Sequence, residues 1–175
     1  MRQVYIAQSL DGFIAGPGGD LDWLHEVEVQ PGEDLGFADF MSGIDALVMG
    51  RRTFEQVLAF GQWPYDKPVF VLSTRGVSIP ERLEGKVELL SGAPETVVAT
   101  LGERGMERLY VDGGAVVQSF LRAGLIDEMV VTTVPILLGG GVPLFGELEG
   151  YVRFELVASE VLLGSLVKSR YRRRV

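Results

Sequence analysis

The sequence predicts an α/β domain with a mostly parallel central sheet, helices flanking it, and an antiparallel hairpin at the C-terminal end. Short apolar runs alternate with helical patterns through residue 126, the signature of a parallel sheet with crossover helices. Two β-rich stretches then follow each other, over 153–161 and 166–173, with no helix between them. The chain has 175 residues, 47% of them hydrophobic, which suits one domain with a substantial core. No linker, repeat or low-complexity segment divides it.

Each element has a local reason. Gln3 to Ser9 alternates and carries Val, Tyr and Ile, so it reads as a strand. Asp11-Gly12 and Gly16-Pro17-Gly18-Gly19 are turn signals, which makes the next segment a glycine-rich loop. Asp20 to Leu24 regains apolar character, and 25–34 is a polar loop. Asp34 is placed to cap a helix running to Ser42, with Leu35, Phe37, Phe40 and Met41 on one face. Ala46 to Met49 is a buried strand closed by Gly50, and Arg51 to Phe60 is helical in pattern. Lys67 to Ser73 and Val87 to Leu90 are strands. Pro94 to Arg104 is a helix with proline in its first turn. Arg108 to Asp112 is a strand ending at Gly113-Gly114, and Ala115 to Ala123 is a helix stopped by Gly124. Beyond it, 127–135 is β-rich, with Val130 to Leu138 read as core or subunit interface. Gly139-Gly140-Gly141 reads as a flexible loop.

Composition excludes several classes of chemistry. The chain has no cysteine, which removes disulfides, thiolate metal sites and cysteine nucleophiles. Its one histidine, His25, rules out a site needing two and is expected to be exposed in the polar loop. A net charge of -8 argues against a general nucleic-acid binder, although a local basic cluster can still hold a small anion. Lys168 to Arg174 is basic, and in a terminal strand its charges would lie on a solvated face. The N-terminus lacks a signal-peptide core, and no run of apolar residues is long enough to span a membrane. These features predict a cytoplasmic protein with a small-molecule partner and no metal.

Three strand ends carry the residues that matter, because ligands of open α/β sheets bind at the carboxyl ends of strands. In Met49-Gly50-Arg51-Arg52-Thr53-Phe54, glycine permits close backbone approach. The helix start there offers free N–H groups, and a hydroxyl and two guanidinium groups add to it. In Leu72-Ser73-Thr74-Arg75, two hydroxyls and an arginine suit phosphate oxygens. In Val111-Asp112-Gly113-Gly114-Ala115-Val116, small residues let a ligand lie against the backbone. Each alone also reads as an ordinary turn with surface arginines. Together they offer two anion sites and a flat glycine platform, which suits a dinucleotide carrying an extra phosphate.

On these residues the chain resembles the dihydrofolate-reductase-like fold. Within it, the chain is similar to the family of the C-terminal reductase domain of the bifunctional riboflavin-biosynthesis deaminase-reductase. The marks are Ala7 with Ser9-Leu10-Asp11-Gly12, Asp20-Leu21-Asp22-Trp23-Leu24, and Met49 to Phe54. Further marks are Gly113-Gly114, Gly124-Leu125-Ile126-Asp127-Glu128, Pro135, and Leu138-Gly139-Gly140-Gly141-Val142-Pro143-Leu144-Phe145. The resemblance covers nearly the whole chain and implies an NADPH-dependent reductase. It assigns Gly50, Arg51, Arg52 and Thr53 to the pyrophosphate and 2′-phosphate region, and Ser73, Thr74 and Arg75 to the 2′-phosphate and adenine side. Gly113, Gly114, Ala115, Val116 and Val117 would back the pyrophosphate and nicotinamide, with Ala7 and Trp23 near the nicotinamide. Homodimerisation is implied in the same way.

The implied reaction moves a hydride from the nicotinamide to a C=O or C=N bond of a pyrimidine ribosylamine-like or pterin-like compound. A proton must also be delivered. Asp112, Asp34 and Asp11 are the candidates for handling it. Asp34 also reads as a simple helix cap and Asp11 as a turn residue. A deaminase half is excluded, because that chemistry needs zinc held by His and Cys. Two alternatives stand beside this reading: a dihydrofolate reductase proper, and a nucleotide-binding protein without turnover.

Overall fold

The structure is a computed structural model that describes residues 1–174. Its centre is an eight-stranded sheet. In chain order the strands are β1 (Arg2–Ser9), β2 (Phe13–Ala15), β3 (Ala46–Gly50), β4 (Val69–Leu72), β5 (Val87–Leu90), β6 (Leu109–Asp112), β7 (Glu128–Val134), β8 (Val142–Pro143), β9 (Phe154–Leu162) and β10 (Leu166–Arg173). The helices are α1 (Asp22–His25), α2 (Phe37–Ser42), α3 (Arg51–Ala59), α4 (Pro94–Glu103) and α5 (Gly114–Arg122). Across the large sheet the order is β5-β4-β3-β6-β1-β7-β10-β9. All neighbours from β5 to β7 are parallel, and β10 and β9 close the sheet as an antiparallel hairpin. This is the predicted architecture.

Alternation along the strands divides the core in two. Ala46, Val48 and Val111 point to one face, where they meet Val97 and Leu101 of α4 and Val117 and Phe120 of α5. Leu47, Met49 and Tyr110 point to the other, where they meet Met41 of α2 and Phe54 of α3. Phe54 and Phe120 are fully buried, and each contributes about 2–3 kcal/mol of apolar burial. A third cluster joins Trp23, Val134 and Leu166 with Ala7 beneath the carboxyl ends of β1 and β7.

The structure differs from the sequence reading in two places. Residues 13–15, expected to lie in a glycine-rich loop, form a small antiparallel sheet, β2 with β8, with residues 142–143, for which the sequence predicts no strand. The pairing is non-local, so no local pattern announces it. The second helix starts at Phe37 with Gly36 at its N-cap in the left-handed region (φ 90°). The Asp34 carboxylate nevertheless accepts the Gly36 and Ala38 amides at 2.9 and 2.7 Å, which is the capping role read for it. The basic C-terminal strand keeps Arg170, Arg172 and Arg174 exposed, as expected for a solvated face, and it finds acidic partners within its own sheet: Lys168 pairs with Glu160, Arg170 and Arg172 with Glu128, and Arg174 with Glu155. Among the described residues no helix is long and apolar enough to cross a membrane.

Glu128 is the one buried carboxylate in that group, 3% exposed. Burial raises its pKa, but hydrogen bonds from Arg170 and Arg172 outweigh that and hold it below the ordinary glutamate value. A depressed carboxylate stabilises the fold above its unfolded pKa, and that contribution is lost as pH falls through the folded one. Glu128→Gln should therefore cost about 2 kcal/mol at pH 7 in urea denaturation. The gap to wild type should narrow as the pH is lowered below the ordinary glutamate range.

Candidate functional site

The sheet parts at one seam. β1 stays registered with β7 from Gln3↔Glu128 to Ser9↔Val134, but its ladder with β6 ends at Gln3↔Tyr110. The two strands run on without pairing, and the seam opens toward their carboxyl ends. It also lies where the chain order reverses, since β6 returns between β3 and β1. The Tyr5 carbonyl, left without a ladder partner there, accepts the Tyr110 hydroxyl at 2.9 Å.

The three predicted turns assemble beside this seam. Register aligns Met49 with Asp112 and Gly50 with Leu72, so β3, β4 and β6 end at one level. Gly113 adopts φ 85°, and a Cβ there would sit 2.2 Å from the Thr53 hydroxyl oxygen. A Cβ on Gly50 would sit 3.2 Å from a Val116 methyl group. Glycine at these two positions lets the β3–α3 and β6–α5 turns close on each other. Both α3 and α5 start without a side-chain cap, at Gly50 and Gly113, which leaves their first amides as free anion donors.

The individual side chains then sort themselves. Arg51 pairs with Glu55 at 2.7 Å, one turn along α3, while Arg52 is exposed. Ser73 accepts the Arg75 amide at 3.1 Å, and Thr74 and Arg75 are exposed at the end of the neighbouring strand. Ala115 is exposed, Gly113, Gly114 and Val116 are buried, and the Val117 side chain lies wholly in the core. The Val117 amide is already bonded to the Gly113 carbonyl at 2.9 Å, so Val117 supports the turn from behind. Ala7 and Trp23 lie across the seam in the third cluster, and Trp23 is 4% exposed.

The three candidate acids are not alike. Asp112 is half-buried at the end of β6, and burial pushes its pKa up to about 6 despite hydrogen bonding from the Gly113 amide and the nearby Tyr110 hydroxyl. Asp34 is exposed, and its pKa is lowered by the backbone amides of Ala38 and Gly36. Asp11 is exposed and also lowered, chiefly by the Ser9 hydroxyl at 2.6 Å. It further accepts the Leu138 and Gly139 amides at 3.1 and 2.8 Å, tying the first turn to the triple-glycine loop. Of the three, the structure brings only Asp112 to the turns.

Sequence reasoning missed what surrounds Asp112. Burial and the Asp112 charge raise the pKa of Tyr65, and the same two causes lead for Tyr110. The Tyr65 ring meets Trp63 edge-on at 5.3 Å, and Trp63 meets the buried Phe54 at 5.8 Å. The loop after α3 is thereby pinned over the site. Gln56 was also missed: its side-chain amide donates to the Gly19 carbonyl at 2.6 Å and fastens the glycine-rich loop to α3. Its position one turn after Thr53, on the same side of the helix, was the available signal.

Comparison with known proteins gives a consistent pattern. A family model described as the RibD C-terminal domain matches residues 3–167. A crystal structure of a Shewanella sp. PV-4 protein, provisionally named as a riboflavin biosynthesis protein, is 50% identical over 99% of both chains, with a TM-score of 0.95. The Thermotoga maritima diaminohydroxyphosphoribosylaminopyrimidine deaminase/5-amino-6-(5-phosphoribosylamino)uracil reductase is 18% identical, with a TM-score of 0.75. This chain aligns over 99% of its own length and 56% of that one. Enterococcus faecalis dihydrofolate reductase is 24% identical over 100% of this chain and 97% of that one, with a TM-score of 0.70. The fold is therefore dihydrofolate-reductase-like.

Gly113→Ala tests the closure of the turns. It should lower stability by about 2 kcal/mol in thermal or urea denaturation, from the positive φ and the clash with Thr53 together. Thr53→Ala in the same background should recover part of that loss and leave the backbone cost of about 1 kcal/mol.

Proposed function

The chain belongs to the RibD C-terminal domain family, whose model spans nearly all of it, and from that premise we propose that it is an NADPH-dependent reductase. It would transfer a hydride to a C=O or C=N bond of a small planar heterocycle, pyrimidine-like or pterin-like. The observation that carries this reading is the meeting of two uncapped helix starts with an acid of raised pKa beside an open seam in the sheet. The comparisons support the reductase class.

The residues fit the cofactor. The first amides of α3 and α5 would take the pyrophosphate, with Thr53 and Gly113 packed tightly enough to keep both sets aimed at one place. Arg52, Thr74 and Arg75 are exposed at adjacent strand ends and would take the 2′-phosphate. When bound, the nicotinamide supplies the hydride from C4. The protein's own tasks are to hold the reacting planes together, exclude water and deliver a proton. Asp112 suits the last task. An ordinary aspartate is ionised at neutral pH, whereas one with a pKa near 6 retains a protonated fraction and can donate from its carboxyl oxygen. The geometry of Asp34 does not favour a dihydrofolate reductase proper, because its carboxylate is occupied by the backbone of its own turn.

We also propose a homodimer. The sheet face formed by β7, β10 and β9 carries a groove of about 250 Å³ lined by Met129, Val131, Phe145, Phe154 and Tyr171. Val161 and Val167, directly opposed across β9 and β10 on that side, are 67% and 41% exposed. A protein that remains a monomer in sedimentation at micromolar concentration would overturn this proposal.

Calorimetric titration tests the cofactor. NADPH should bind at least tenfold more tightly than NADH, about 1.4 kcal/mol. Absence of binding by either would sink the reductase reading. NADPH binding without turnover of any reducible pyrimidine or pterin would leave a nucleotide-binding protein. Asp112→Asn should remove the fall in hydride-transfer rate that wild type shows as pH rises through about 6. Because the folded pKa of Asp112 lies above its unfolded value, the contribution of this residue to wild-type stability should fall as pH rises from about 4 to about 6. Asp112→Asn should remove that contribution, so that its stability relative to wild type rises over this range and gains on the order of 2 kcal/mol at pH 8.

A further inference from the structure

Tyr110 is buried, 5% exposed, with its hydroxyl at the point where β1 and β6 part. Phe37 and Phe40 of α2 meet its ring edge-on at 6.3 and 5.2 Å, so the ring is fixed and only the O–H bond is free to turn. The hydroxyl donates to the Tyr5 carbonyl at 2.9 Å. Asp112 follows two residues later on β6, so both side chains leave the same face of the strand. The hydroxyl thereby stands within hydrogen-bond reach of the Asp112 carboxyl, whose Oδ1 is held by the Gly113 amide at 2.8 Å.

One phenolic proton therefore serves two acceptors. A phenol donates once and can also accept. With Asp112 protonated, its carboxyl O–H donates to Tyr110 Oη while Tyr110 donates to the Tyr5 carbonyl, and all three groups are satisfied. With Asp112 ionised, the carboxylate is the stronger acceptor and the phenolic O–H turns to it. No counter-charge competes, because Asp112 belongs to none of the ion pairs among the described residues. The other titratable neighbours are few. Tyr65, from the loop after α3, lies within charge reach of Asp112 but makes no hydrogen bond to it. The Tyr5 hydroxyl, from β1, is given to the Leu35 carbonyl, with Asp34, Lys168 and Glu160 around it. On α2 the one charge, Asp39, is exposed; at the start of α3, Arg51 pairs with Glu55 and Arg52 is exposed.

We propose that Tyr110 is a positioning residue for proton delivery: it holds the Asp112 carboxyl beside the seam and passes its O–H bond from the Tyr5 carbonyl to the carboxylate as the proton leaves. The inference rests on the reading of Asp112 as the proton donor of a reductase. In that step the Asp112 O–H bond breaks and its proton joins the substrate oxygen or nitrogen, while the neighbouring carbon gains the hydride and NADPH is oxidised to NADP⁺. The carboxylate left behind takes the Tyr110 hydrogen bond. The phenol keeps its own proton throughout, as its strongly raised pKa requires.

NMR titration of the aspartate carboxyl and tyrosine ring carbons tests this, on the free protein and with NADPH, with Asp112→Asn to assign the signal. Wild-type Asp112 should titrate with a midpoint of about 6. Tyr110→Phe removes the donor to the carboxylate and should raise that midpoint by about half a pH unit or more. Tyr65→Phe, which removes a hydroxyl that Asp112 does not bond, should leave the midpoint in place. In wild type the Tyr110 Cζ signal should move with the Asp112 midpoint, far below the ionisation of the phenol itself, and should stay flat in Asp112→Asn. That second reading stands even where Tyr110→Phe fails to fold. A midpoint unmoved or lowered in Tyr110→Phe, an equal rise in Tyr65→Phe, or a flat Tyr110 signal in wild type would overturn the proposal. Failure of NADPH to bind would instead count against the reductase reading, since the titration is complete on the free protein.

Discussion

Everything at the site depends on the parting of β1 from β6. A parallel sheet closed along its length would bury this edge and offer a ligand only loops. Here β1 holds β7 to its last residue and releases β6 early, so a cleft opens between two well-anchored strands. The backbone group exposed by the parting is not wasted, because the Tyr110 hydroxyl reaches across to the Tyr5 carbonyl. The Tyr5 hydroxyl in turn donates to the Leu35 carbonyl at 2.8 Å, connecting the seam to the segment leading into α2. Phe37, Phe40 and Tyr110 pack around it edge-on or tilted, so the opening is held at a set width by aromatic contacts.

On that frame the glycines serve as spacers. Thr53 against Gly113, and Val116 against Gly50, set how far apart the two helix starts lie. On the other side of α5, a Cβ on Gly114 would come 3.0 Å from the Pro143 carbonyl oxygen, and so the small β2–β8 sheet sits close behind the same turn. The site is assembled from segments more than ninety residues apart in sequence, yet each contact is short-range packing.

The main sheet could be read directly from the chain, because apolar runs of four or five residues with helical patterns between them admit few other arrangements. The C-terminal hairpin was equally plain from consecutive strands with no helix. The turns at Gly50 and Gly113 were legible because glycine at a strand end has a local physical meaning. What could not be read was partnership at a distance. Nothing near Tyr65 in sequence says that it will stand beside Asp112, and nothing in Val142-Pro143 announces pairing with Phe13 and Ala15. Asp34 and Asp112 look alike as residue types. They differ because one meets its own backbone amides in solvent and the other lies at a half-buried strand end.

The buried ion cluster at Glu128 has a consequence for the order in which the molecule is made. Its neutralising arginines, Arg170 and Arg172, lie more than forty residues further along the chain. Until β10 is synthesised, a carboxylate on β7 has no guanidinium to meet, and β7 has an unpaired edge. β1 waits longer still, since both its neighbours come from residues past 108. Local helices can form early, but the centre of the sheet cannot close during most of translation. The C-terminal hairpin therefore acts as the final latch, and nascent chains lacking it would present a charged, open strand edge to whatever chaperone or neighbouring chain arrives first.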